Sequence, residues 1–285
     1  AMMIYGEAGT EIMYPNPGFP IYESAIRFSG ATPVPIALKE ENGFAFSATE
    51  VLAKITPRTR LIVLNSPANP TGGAVPKAEF DALVGGLADW PEVAILSDEI
   101  YGQMLYDGRE HVSLLNYPEI RDRLILLYGW SRTYAMTGWR LGYAVWPKDV
   151  IGHAEKLAVN CHSCVNASAQ FAGIAALEGP QDAVGEMVTA FDERRRVIVS
   201  ELNQIQGFTC VEPGGAFYAF PNITGTGMSA QELQSKLLEE AGVAVIAGTS
   251  FGQYGEGYLR FSYAASTEEI LEAMTRIRNF LAERS

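Results

Sequence analysis

At 285 residues, 48% of them hydrophobic, the chain can bury a sizeable core as one large domain or two unequal ones. Its 33 acidic residues outnumber 21 basic ones for a net charge of -12, which argues against nucleic acid or anionic membrane as a partner. No stretch of about 18 consecutive apolar residues occurs, so no helix is expected to span a bilayer.

In chain order, the opening Ala1-Met2-Met3-Ile4-Tyr5-Gly6-Glu7 lacks the basic region and long apolar core of a secretory signal. With only three cysteines, Cys161, Cys164 and Cys210, it reads as a cytoplasmic protein of a reducing compartment. Ser47 and Glu50 have capping-box spacing. Residues 60–65 read as a buried strand, followed by a turn through 67–73, an amphipathic helix over 77–88 and a strand over 93–98. Two more strands are expected at 124–129 and 140–145. Their near-continuous apolar character predicts a mostly parallel sheet covered on both faces, hence an α/β fold. The chemically interesting residues fall just after the strands, where ligands of such sheets bind.

Past Pro180 the pattern changes. A long helix over 181–206 leads into strands near 216–220, 243–246 and 258–262, with helices over 230–241 and 267–283. Ser266 and Glu269 predict a second capping box. A boundary near 180 would separate a large domain (1–180) from a smaller C-terminal α+β domain (181–285). Cys161-His162-Ser163-Cys164 has C-x-x-C spacing, yet no second ligand pair accompanies it, so no metal site is expected.

Four segments carry the candidate chemistry. Asn65-Ser66-Pro67-Ala68-Asn69-Pro70-Thr71-Gly72 is a rigid turn that leaves Asn69 able to aim its amide at a ligand. Ser97-Asp98-Glu99-Ile100-Tyr101 sets a carboxylate and a phenol three residues apart at the sheet edge. The third is Ser131-Arg132-Thr133-Tyr134-Ala135-Met136-Thr137-Gly138-Trp139-Arg140-Leu141-Gly142-Tyr143, and the fourth Gly257-Tyr258-Leu259-Arg260-Phe261-Ser262-Tyr263. Together with Tyr14-Pro15-Asn16-Pro17-Gly18-Phe19-Pro20, their order resembles that of the class I aminotransferases, the pyridoxal-phosphate enzymes of the aspartate aminotransferase fold, over essentially the whole chain.

The resemblance implies a homodimer that binds pyridoxal 5'-phosphate and acts on a small-molecule amino acid or 2-oxo acid. Asp98 would pair with the pyridine nitrogen, Asn69 and Tyr101 with the phenolic oxygen, and Ser131 and Arg140 with the phosphate. Phe19 would stack on the ring, and Arg260 would hold the substrate carboxylate. Two departures alter that picture. The chain starts well inside the family's large domain, without the segment that gates the substrate and adds phosphate donors. Arg132 stands where the family carries the lysine that binds the cofactor as a Schiff base.

A lysine amine loses its proton when desolvated and can attack an aldehyde. A guanidinium, with a pKa above roughly 12.5, is neutral in fewer than about one in 10^5 molecules at pH 7. Covalent attachment is therefore not expected, and transamination should be impaired. Arg132 should be paired with Asp98, a bound anion or solvent. Two alternatives stand beside this reading. One is a non-catalytic relic that binds cofactor or anions. The other is a cofactor-independent enzyme such as a hydrolase, since Gly129-Trp130-Ser131-Arg132-Thr133 approaches the G-x-S-x-G elbow.

Overall fold

A computed structural model describes residues 1–284. After a short helix, α1 (Met2–Tyr5), the first half alternates strands and helices: β1 (Glu11–Asn16), α2 (Ile21–Ser29), β2 (Thr32–Ala37), α3 (Ala48–Ala53), β3 (Thr59–Asn65), α4 (Lys77–Gly86) and β4 (Ala94–Asp98). β5 (Leu124–Gly129), the one-turn α5 (Trp130–Thr133) and β6 (Gly142–Val145) complete a six-stranded sheet of order β2-β1-β3-β4-β5-β6. All pairings are parallel except β5 with β6. The fold class is therefore α/β with a mostly parallel sheet, as the apolar runs predict.

Period-two alternation divides each central strand between two cores. Leu61 and Val63 of β3 face one side with Ile12, Leu96, Ile125 and Ile26 of α2. Ile62 and Leu64 face the other, with Met13, Ile95, Val51 of α3 and Phe80 and Leu83 of α4. Burial of each such aliphatic side chain contributes about 1.5–3 kcal/mol. The sheet is thus rigid where β3, β4 and β5 end, and the loops leaving those ends carry the candidate site.

The remainder consists of α6 (Lys148–His162), α7 (Ala167–Glu178), α8 (Asp182–Leu202), β7 (Tyr218–Ala219), α9 (Ala230–Ala241), β8 (Ile246–Ala247), β9 (Leu259–Ser262) and α10 (Thr267–Ala282). The three strands form an antiparallel sheet, β7-β9-β8. Ile198 and Leu202 of α8, Leu237 of α9 and Ile277 of α10 share its core with Tyr101 and Met104 from the loop after β4. Ser266 and Glu269 form the expected reciprocal capping box of α10. Ser47 caps α3 by accepting from the Glu50 amide, whereas the Glu50 carboxylate pairs with Lys39.

Several expected elements are shorter than their sequence pattern. The strands predicted over 216–220 and 243–246 reduce to two residues each, β7 and β8. The one predicted over 140–145 begins at Gly142. Arg140 instead ends a 3-10 turn in the left-handed region, with φ of 54°, so it is held by a turn rather than by the sheet. Tying that turn down, Thr137 Oγ1 donates to the Ser131 carbonyl at 2.7 Å and Arg140 Nη1 donates to the Thr137 carbonyl at 2.9 Å.

Candidate active site

The loops following β3, β4 and β5 enclose a cavity of about 510 Å³. Phe19, Asn69, Asp98, Tyr101, Ser131, Arg132 and Arg140 all line it. Arg260 does not line it but touches it through Asn69, whose Oδ1 accepts from Arg260 Nη1 at 3.1 Å. Residues spread over more than 240 positions of sequence therefore converge on one place. A larger cleft of about 950 Å³ lies between Lys39, Glu50, Lys54 and Tyr258. Its charges are largely committed: Lys39 pairs with Glu50 and Lys54 Nζ donates to the Pro35 carbonyl.

Asp98, the last residue of β4, points its carboxylate into the cavity, where Oδ1 accepts from the Ile100 amide at 3.2 Å. Burial raises its pKa, opposed by the hydrogen bond from Tyr22. That phenol, on α2, donates to Asp98 Oδ2 at 2.6 Å and is itself held well above the usual tyrosine range by burial and by the carboxylate. Phe19 packs edge-on against Tyr22, with ring centroids 5.9 Å apart, and remains 44% exposed at the rim.

The turn after β3 is fixed by its own amides. Asn65 Nδ2 donates to the Asp98 carbonyl at 3.0 Å, and Asn65 Oδ1 accepts from the Asn69 amide at 3.1 Å. Gly72 is needed there: its φ is 69°, and a Cβ would lie 2.6 Å from Pro213 and 2.7 Å from the Tyr218 carbonyl. This close approach seats the turn against β7, bringing Arg260 of the neighbouring β9 to Asn69.

Tyr101 is buried, and its hydroxyl lies 2.9 Å from that of Tyr218. Desolvation raises its pKa, with the Tyr218 hydroxyl adding to the effect and Arg132 opposing it. Arg132 lies over the Tyr101 and Phe217 rings, its guanidinium carbon 5.7 and 5.5 Å from their centroids. Of the alternatives expected for it, Asp98 makes no ion pair with Arg132 and only feels its charge. Among the described residues Arg132 has no acidic partner, and Asp98 is bonded to Tyr22 instead. The aromatic corner supplies an alternative seat for the cation.

No primary amine reaches this cavity. The chain has six lysines, and among the described residues none lines it. Nor does a histidine. His111 is bonded to the buried Glu99 at 2.7 Å and borders a separate cavity, while His153 and His162 lie on α6. Ser131 therefore has no imidazole base among the residues lining the cavity. Cys161 and Cys164 are exposed near the end of α6, and no group of metal-ligating side chains occurs among the described residues.

Sequence reasoning missed Tyr22, Asn65 and Tyr218. Tyr22 lies three residues after Phe19, in the first turn of α2, whereas Phe19 precedes the helix. Asn65 ends the predicted strand, and its amide was the available signal. Tyr218 carries no local signal, because only the packing of β7 on the Gly72 turn brings it to Tyr101.

The model of the family described as aminotransferase class I and II matches residues 1–277. An aspartate aminotransferase of Pyrococcus horikoshii is 43% identical over 277 residues, which make up 96% of this chain and 70% of that protein. Among solved structures, the aspartate aminotransferase from Rhizobium meliloti superposes with a TM-score of 0.93 at 36% identity, covering 99% of this chain and 72% of that one. The aromatic aminotransferase from Pyrococcus horikoshii OT3 gives the same TM-score at 36% identity, over 98% and 74%.

Proposed function

The chain belongs to the class I and II aminotransferases, and from that premise we propose that its cavity binds pyridoxal 5'-phosphate reversibly, together with an amino acid or 2-oxo acid, without covalent attachment. The observation that carries this reading is a cavity that gathers Phe19, Asn69, Asp98, Tyr101, Ser131 and Arg140 and is lined by no lysine. Asp98 is a partly buried carboxylate at the cavity wall, suited to a protonated ring nitrogen. Asn69 and Tyr101 offer an amide and a phenol, Phe19 an aromatic face, and Ser131 and Arg140 donors for a phosphate. Arg260 Nε is buried without a hydrogen-bond partner, as suits a donor awaiting a carboxylate.

Bound there, the cofactor would act as an electron sink that acidifies the α-carbon of an amino acid. This chain's residues would orient it: Tyr22 holds Asp98 in place, and Arg260 with Asn69 sets the carboxylate end of the substrate. The missing contribution is proton transfer at the α-carbon. A guanidinium in the lysine's place offers no amine lone pair for that role. Complete transamination should therefore be slow. Similar proteins named for aspartate and for aromatic amino acids support an amino acid or its 2-oxo acid as the ligand.

We also propose that the chain associates with itself. β6 is a sheet edge, and Trp139, Tyr143, Ile151, Phe171 and Ile174 are each about half or more exposed, an amount of apolar surface that favours burial against a partner.

A spectrophotometric titration tests the cofactor reading. Pyridoxal phosphate added to the protein should give a saturable change in the band at about 330–430 nm, lost in Asp98→Ala. Unchanged spectra across the titration would refute cofactor binding.

A further inference from the structure

His111 stands outside the cavity yet is bonded to the loop that supplies two of its walls. Strand alternation turns Asp98 toward the cavity and Ser97 and Glu99 toward the opposite face of the sheet, where Leu114 shares a core with Ile95. On that face Glu99 is 4% exposed. Its Oε1 accepts from Ser97 Oγ at 2.9 Å and from the Leu114 amide at 3.0 Å, while Oε2 lies 2.7 Å from His111 Nε2. A carboxylate accepts all three bonds, which assigns the hydrogen of this imidazole to Nε2. The ring is seated against Gly102, where a Cβ would lie 2.9 Å from Nε2.

Backbone bonds close the same loop, from the Gly102 amide to the Glu99 carbonyl at 2.9 Å and from the Met104 amide to the Tyr101 carbonyl at 2.8 Å. Glu99 thus anchors, through side chain and carbonyl, the turn that starts at Asp98 and carries Tyr101 into the cavity wall. Its charge also reaches the cavity: burial raises the Asp98 pKa, and the neighbouring carboxylate adds to that.

We infer that His111 is a positioning residue of the site: through Glu99, from the far face of the sheet, it fixes the backbone that presents Asp98 and Tyr101 to a ligand. This rests on the reading of the cavity as a cofactor site. Leucine at 111 would leave a buried carboxylate oxygen without its donor, and a buried acid so deprived moves toward water. A separate cavity of about 400 Å³, bordered by Ser66, Lys77 and His111, offers room for that movement. One peptide bond joins Glu99 to Asp98, so the displacement is passed directly to the cavity wall.

Three variants of the full chain test this. His111→Leu removes the donor, and His111→Gln keeps a neutral N–H donor of similar reach. Arg123→Met is a control for general destabilisation, because Arg123 caps the carbonyls of Leu87, Trp90 and Val93 at the opposite end of β4. In the cofactor-free chain, amide exchange over residues 99–104 should be at least about tenfold faster in His111→Leu. It should stay within about threefold of the parent in His111→Gln and in Arg123→Met. Pyridoxal phosphate should bind His111→Leu at least about fivefold more weakly than the parent, with His111→Gln restoring the parent Kd. Parent-like exchange or a parent-like Kd in His111→Leu overturns the proposal. So does faster exchange over 99–104 in Arg123→Met to the same degree, or a glutamine variant no better than leucine. Exchange is read without cofactor, so a parent that binds no pyridoxal phosphate overturns the cofactor reading and leaves exchange to decide the role of His111.

Discussion

The Tyr22 phenol donates to the Asp98 carboxylate at 2.6 Å, across 76 residues of sequence, joining a buried phenol to a partly buried carboxylate at the cavity wall. This bond is the chief compensation for the desolvation of that carboxylate, ahead of the Ile100 amide and the Arg132 charge. Tyr22→Phe removes one partner of a hydrogen bond to a partly buried acid and should cost about 1.5–3 kcal/mol. Thermal unfolding should report it, at roughly 2–4 °C per kcal/mol for a chain of this order of size. An unchanged Tm would mean that the bond contributes nothing.

Asp98 also sets a pH dependence. Its folded pKa is raised by burial, so the folded state holds its proton more tightly than the unfolded one. The resulting stability is fully present below the unfolded value of about 3.9 and is lost as pH rises through the folded value. Cofactor-free Asp98→Asn should therefore have a higher Tm than the parent at neutral pH, with the gap closing toward acid. A mutant less stable than the parent at pH 7 would contradict this.

Asp107 behaves in the opposite sense. Arg195 and, less strongly, Arg109 hold its carboxyl down at about 2. Its contribution is present above the ordinary aspartate value and disappears as pH falls through about 2. Asp107 is 40% exposed, so screening limits that contribution. Arg195 is different: it lies 4.7 Å over Tyr106 and is fully buried. Arg195→Met removes the hub joining α8 to the turn at Asp107 and Gly108, and should cost about 3–5 kcal/mol in denaturant unfolding. A loss below about 1 kcal/mol would show that the pairs barely compensate for desolvation.

Arg140 and Ser131 should bind a phosphate group even without the rest of the cofactor. Millimolar inorganic phosphate should raise the parent Tm by mass action, and Arg140→Ala should remove most of the rise. A parent Tm indifferent to phosphate would count against this anion site.

Arg132→Lys tests how much of the old chemistry survives around the substitution. With a deprotonable amine restored, transamination should rise by at least about 10²-fold. A variant that binds the cofactor no better and stays inactive would place the main defect elsewhere in the chain.

Much of the fold was legible because buried parallel strands announce themselves as apolar runs. β3, β4 and β5 were found within a residue or so of their ends, and the cavity residues follow from where those strands stop. β1, β2 and α2 were not predicted. β2 reads Thr-Pro-Val-Pro-Ile-Ala, and its two prolines suit the edge position it occupies but mask a strand pattern. α2 runs Ile-Tyr-Glu-Ser-Ala-Ile-Arg-Phe-Ser after Pro20, without a side-chain cap to mark its start. The Tyr22–Asp98 and Tyr101–Tyr218 bonds were beyond local reading because each depends on how distant elements pack. Arg132 was conspicuous in the sequence, yet its aromatic seat required Phe217 from the far end of the chain.

Borohydride reduction of the protein loaded with pyridoxal phosphate, followed by dialysis and intact-mass measurement, addresses non-covalent binding most directly. The expected result is a saturable spectrum before dialysis and an unmodified mass after it, while Arg132→Lys gains a single stable adduct mapping to residue 132. A stable stoichiometric adduct on a single lysine of the parent chain, located by peptide mapping, would contradict it.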